Sequence, residues 1–104
     1  MVKGQSIYYI ANDGEKDILF NAVKNSMIAR FYKIYPEGLV RGTSNFFLAM
    51  EDVDGKWKKA IFNMNGGRIT EWADEIDAIE FLEGKSPYVS IENNGKKLTL
   101  KIGK

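Results

Sequence analysis

The chain has 104 residues, 44% hydrophobic and 28% charged, with a formal charge of +1, the size and make-up of one folded domain spanning 1–104. It contains no cysteine and no histidine, which excludes disulfides, thiolate and imidazole metal sites, Cys nucleophiles and any Ser-His-Asp triad, so no metal or cofactor is expected. No run approaches the ~20 apolar residues of a membrane helix, and Met1-Val2-Lys3-Gly4-Gln5-Ser6 does not open a signal peptide, so the expected setting is the cytoplasm, away from membranes.

Ile7 to Ile10 reads as a strand. Residues 15–25 carry Ile18, Leu19, Ala22 and Val23 at helical spacing, which predicts a short helix; the same run also fits a strand opened by Asp13-Gly14. Met27 to Tyr35 is apolar and aromatic enough for a strand, and Pro36-Glu37-Gly38 turns the chain. Leu39 to Asn45 reads as a loop carrying Arg41.

Asn45 to Met64 predicts a hairpin about Asp54-Gly55. That tip pairs Glu51 with Lys58, Ala49 with Ala60 and Phe47 with Phe62 on one face. It pairs Asp52 with Trp57, Met50 with Lys59 and Leu48 with Ile61 on the other. The second face, with Phe46, is the bulkier and is the expected core. Phe47 and Phe62 are then outer-face neighbours beside Lys58.

Asn65-Gly66-Gly67 is a turn. It leads into the expected helix over 70–82, with Thr70 as N-cap, Trp72, Ile76, Ile79 and Leu82 at helical spacing, and Gly84 beyond its end. Tyr88 to Ile102 alternates about Asn94-Gly95, pairing Ile91 with Leu98, Val89 with Leu100 and Tyr88 with Lys101. Val89, Ile91, Leu98, Leu100 and Ile102 form the inner face of that hairpin. No internal repeat, low-complexity tract or linker is evident in this reading.

Charge is unevenly placed. Glu71, Asp74, Glu75, Asp77, Glu80 and Glu83 follow one another with no basic residue between them, while all fifteen Lys and Arg lie elsewhere with the other eight acids. Acids early in a helix are favoured by its dipole. The acidic element is then a solvated face, a mimic of nucleic-acid phosphates, or a surface that repels nucleic acid from the back of the domain.

The aromatic and basic residues expected on outer faces are Arg30, Tyr32, Lys33, Phe47, Lys58, Phe62, Tyr88, Lys97 and Lys101. Rings that stack bases, among cations that follow the backbone, are what a single-strand-binding sheet presents. The plainer reading of the rings is a second core layer or a dimer interface. That of the lysine pairs Lys58-Lys59 and Lys96-Lys97 is protection of sheet edges. Asp52-Val53-Asp54-Gly55 opens like a calcium loop, but Lys56, Trp57 and Lys58 follow where oxygen ligands are needed. Gly66-Gly67-Arg68 is a turn, since the acids after it oppose an anion.

The order of elements, strands and hairpin followed by an amphipathic helix, is similar to that of Whirly-type single-stranded-DNA-binding proteins; the likeness is in order alone, and no residue motif carries over. The expected fold is α+β. It has an antiparallel sheet of five to seven strands, with the acidic helix (70–82) packed over Leu48, Met50, Trp57 and Ile61. The expected function is non-enzymatic binding of single-stranded nucleic acid on the exposed sheet face, by a monomer or homodimer. The rival is a small protein-binding inhibitor or adaptor, of the kind phages make, acting on a protein target through its acidic helix or aromatic patch.

Overall fold

The structure is a computed structural model describing residues 8–35 and 46–102. Within them the chain forms three small antiparallel sheets of three strands each. The first contains β1 (Tyr8–Asn12), β2 (Asp17–Asn21) and β3 (Ser26–Phe31), in chain order. The second contains β4 (Lys33–Ile34), β5 (Phe46–Val53) and β6 (Lys56–Asn63). The third contains β7 (Glu75–Asp77), β8 (Tyr88–Asn93) and β9 (Lys96–Lys101), with a single helical turn, α1 (Ile79–Leu82), between β7 and β8.

Both predicted hairpins form in the expected register. At their tips Asp54 and Gly55 have φ of 54° and 84°, and Asn94 and Gly95 have 53° and 78°. Two consecutive positive φ values define the type I′ turn, whose twist matches that of the flanking strands. Replacing Gly55 or Gly95 with Val places a β-branched side chain in this region. It is expected to cost on the order of 1–3 kcal/mol in denaturant unfolding; an unchanged midpoint would contradict the turn assignment.

The predicted helix over 70–82 is absent, and this overturns the α+β architecture. Residues 67–73 run extended along β6: the Lys59 and Ala73 amides donate to each other's carbonyls at 2.8 and 2.9 Å, and Ile69 N–H donates to Ile61 O at 2.7 Å. Residues 75–77 then pair with β8, placing Ile76 opposite Ile91. One helix cannot serve these residues. Trp72 packs into one core cluster, while Ala73, Ile76 and Ala78 belong to another, so side chains one helical turn apart point to opposite sides of the middle sheet. Glu75, Ile76, Asp77 and Ala78 alternate exposed and buried, the period of a strand. Thr70 is not a cap: its buried Oγ1 accepts from Ile61 N–H at 3.1 Å. With its helix gone, the similarity in element order to Whirly-type proteins lapses.

The helix proposed for 15–25 is also absent; the alternative strand is β2, followed by a turn in which Asn21 Oδ1 accepts from the Val23 and Lys24 amides, each at 3.0 Å. The turn at Pro36-Glu37-Gly38 and the Leu39–Asn45 loop lie outside the described residues.

Both faces of the middle sheet are buried. Phe47, Ala49, Ala60 and Phe62 lie in one cluster with Ile10 and Leu19 of the first sheet. Leu48 and Ile61 lie in the other with Ile76, Phe81, Leu82, Val89 and Ile91. The expected core face was therefore correct in Leu48 and Ile61, but it is covered by the third sheet and α1, and Trp57 at its far end is 52% exposed. The expected outer face is equally core.

The three sheets follow one plan, a unit made of a hairpin with a further strand beside it. Each hairpin tip carries a glycine, Gly14 in a longer tip between Asn12 and Asp17 and Gly55 and Gly95 in two-residue tips, about 40 residues apart. Leu19-Phe20-Asn21 and Ile61-Phe62-Asn63 occupy the same place in their units. Asn63 repeats the role of Asn21, its Oδ1 accepting from the Asn65 and Gly67 amides at 2.9 and 3.0 Å. The cross-strand pair Tyr9–Phe20 is stacked at 5.1 Å and its counterpart Phe47–Phe62 at 5.3 Å. In units one and two, the strand beside the hairpin then bends, at Tyr32 and at Asp74, and crosses to become the first strand of the next sheet. No internal repeat was expected; the structure shows three hairpin-based sheets of similar plan.

Candidate functional site

The nine residues expected to bind nucleic acid do not form one surface. Phe47 is 0% and Phe62 5% exposed. They stack on each other with Phe31 and Trp72 close by, so no base reaches either ring. Lys58 is partly buried and donates to Asp74 Oδ1 at 2.9 Å. Arg30 lies on the first sheet, paired with Asp13 at 2.7 Å and near Glu15. Tyr32 lies against Trp57, ring centroids 4.4 Å apart and tilted by 41°, at the bend between the first two sheets, and Lys33 lies over the Tyr35 ring. Tyr88, Lys97 and Lys101 do share a face, the outer face of the third sheet, and all three are exposed.

That outer face is electrically graded. Period two puts Glu75, Asp77 and Glu92 on it from β7 and β8, because Ile76 and Ile91 between them are buried. The same register puts Lys97, Thr99 and Lys101 on it from β9, with Lys97 opposite Glu92 and Lys101 opposite Tyr88. Acids thus crowd the β7 side and bases the β9 side. The acidic segment is legible in the sequence, but it supplies one margin of a sheet and not a helix face.

Among the described residues the outer edge of β9 is open. In a hairpin with a two-residue tip the closing pair, here Asn93–Lys96, is hydrogen-bonded, and bonded pairs alternate from there. Leu98 and Leu100 therefore bond to β8, while the N–H and C=O groups of Lys97, Thr99 and Lys101 face outward. On β6 the counterparts of Thr99 and Lys101 are Lys59 and Ile61, and both bond to residues 67–73. On β2 the same edge is occupied by β3. Among the described residues, no strand pairs with the outer edge of β9.

Beside this edge lies a groove of about 500 Å³ lined by Ile91, Asn93, Lys96, Lys97 and Leu98, with Lys58 and Glu71 opposite. Leu98 faces the inner side, yet it is 55% exposed. Polar ties join the β8–β9 hairpin to the bend beside the groove. The Asn93 side chain accepts from Asp74 N–H at 3.0 Å and donates to Trp72 O and Glu71 Oε1, each at 3.3 Å. Asp74 Oδ2 accepts from Asn94 N–H at 2.9 Å.

The Asn94 amide and then the Lys58 ammonium hold the Asp74 carboxyl below its usual pKa. Asp13, at the tip of the first hairpin, is held down by the Lys16 amide, the Arg30 side chain and the Glu15 amide. Because both are depressed, their contribution to stability is complete above the ordinary carboxylate value and is lost as pH falls through the folded values. Thermal stability is expected to fall as pH drops below about 4. The Asp74→Asn variant should show a smaller acid loss; an equal loss would remove Asp74 from the account.

The described residues contain no group of three or more His, Cys, Asp or Glu side chains placed to hold a metal ion. None of their helices is long and apolar enough to cross a membrane. The shared plan of the three sheets is what sequence reasoning missed at this site, and the regular spacing of Gly14, Gly55 and Gly95 was its signal. In comparisons with known proteins, no family model, curated protein or solved structure matches the chain.

Proposed function

We propose that the protein is a non-enzymatic binding module that takes an extended segment of a partner protein as an added strand on β9. The outer edge of β9, open among the described residues, carries this reading, because the corresponding edges of β2 and β6 are covered by the chain itself, by β3 and by bridges from residues 67–73. Backbone groups presented in a row give such an addition its affinity, and flanking side chains give it selectivity. Nucleic acid is the less favoured partner for this surface. Stacking needs a series of accessible rings, and with Phe47 and Phe62 enclosed, Tyr88 is the ring that remains among the third-sheet lysines.

The test is a random-peptide display selection on the wild-type protein, repeated on a Thr99→Pro variant. Thr99 N–H points away from β8, so proline there removes an edge donor without removing a ladder bond and is tolerated. Peptides selected on the wild type are expected to lose binding to Thr99→Pro. Binding of single-stranded oligonucleotides that survives the substitution and weakens with salt would replace this reading by nucleic-acid recognition.

A further inference from the structure

We infer that the segment β9 accepts alternates acidic with large apolar residues and lies antiparallel to it. This rests on the strand-addition reading and assigns the chemistry of the strand added.

Three observations fix that chemistry. The first is charge. A strand beside β9 places every second side chain on the outer face, next to Lys97 and Lys101. Lys101 has no acid opposite it, and neither Lys96 nor Lys97 is within ion-pair distance of an acid among the described residues. Acids at those positions meet bases across the strand; lysines there meet like charge.

The second is the groove. The remaining side chains of the added strand point inward, over Leu98 and Leu100 and into the space beside Ile91. Leu98 lines this groove and is 55% exposed. An apolar residue placed there removes its exposed surface from water.

The third is the middle sheet, where the corresponding edge is filled. There residues 67–73 occupy the edge of β6 in antiparallel fashion. Their Trp72 turns inward, meeting Phe62 edge-on at 5.7 Å. Phe62 and Ile102 hold equivalent places in their units, and Leu100 holds that of Ala60. A strand on β9 therefore has a large apolar side chain to deliver at the position Trp72 takes on β6.

The experiment uses the whole chain and synthetic peptides of about ten residues, enough to match a strand, alternating Leu with Glu, Lys or Ser. Binding is followed by fluorescence anisotropy, and amide chemical shifts of Lys97, Thr99 and Lys101 report whether the edge is engaged. The Glu peptide is expected to bind about tenfold more tightly than the Lys peptide at low salt, with the gap narrowing as salt rises. Reversing both lysines, Lys97→Glu with Lys101→Glu, is expected to invert the order. A Glu-alternating peptide with Ser in place of Leu is expected to bind weakly, because the groove side is then unfilled.

The failures are distinguishable. If all patterns bind alike, with the edge amides shifted and with sensitivity to Thr99→Pro, strand addition stands and the chemistry assigned to it falls. If no peptide of any pattern shifts the edge amides, the strand-addition reading itself is overturned.

Discussion

Phe47→Ala is expected to destabilise the protein by about 3–5 kcal/mol, the range for deleting a fully enclosed aromatic side chain. The ring is 0% exposed, stacks on Phe62 at 5.3 Å and lies 6.5 Å from Phe31. The cavity left by Ala is bounded by Ile10 and Leu19 on one sheet and by Ala49 and Ala60 on its own. Ala49 and Ala60 are already minimal, so neither can expand to fill it. A loss of this size consumes much of the ~5–15 kcal/mol available to a domain, and the variant is expected to be partly unfolded at physiological temperature. Circular dichroism with urea titration measures it. Had Phe47 been an exposed stacking platform, its removal would have been nearly neutral for stability. A change below about 0.5 kcal/mol would therefore restore that view.

The second large effect separates two residues that a helix treats alike. Ile76→Ala is expected to cost roughly 2–5 kcal/mol, because Ile76 is buried opposite Ile91 and against the third-sheet core. Ile79→Ala is expected to change stability by no more than about 0.5 kcal/mol, since Ile79 is exposed at the start of α1. On the predicted helix both residues were core contacts of similar weight. Equal and large losses at the two positions would argue for that helix and against β7.

How much of this was legible depended on how local the determining interactions are. The two hairpins were legible to the residue, because Asp54-Gly55 and Asn94-Gly95 fix the turn type and the turn fixes the register. The faces of β5 and β6 were legible as alternating sets, but not as both buried. Alternation tells which side chains go together; it does not tell whether a second sheet covers the other side. The segment over 70–82 misled for a related reason. Trp72, Ile76, Ile79 and Leu82 satisfy the helical period, yet the chain bends at Asp74 and the residues before and after it serve different sheets. Periodicity assumes one element with one partner. The groove beside β9 was not legible, since it is made by the tie between Asn93 and the Asp74 bend, two points remote in sequence. Lys97, Lys101 and Tyr88 were placed together correctly; the grading of charge across their sheet needed the strand pairing of β7.

The bends at Tyr32 and Asp74 bear on how the molecule comes apart. A simple stack of repeats loses an end unit with little harm to the rest, because neighbours touch only face to face. Here the strand that completes one sheet runs on into the next. Opening the first sheet pulls β4 from the edge of β5 and uncovers Phe47 and Phe62 together. Opening the third removes β7 and drags on residues 67–73, whose carbonyls and amides close β6. Each unit thus holds a structural member of its neighbour, and melting is shared across the chain. The expected behaviour is a single all-or-none transition with coincident fluorescence and circular dichroism curves, in place of the fraying from one end that a modular array permits.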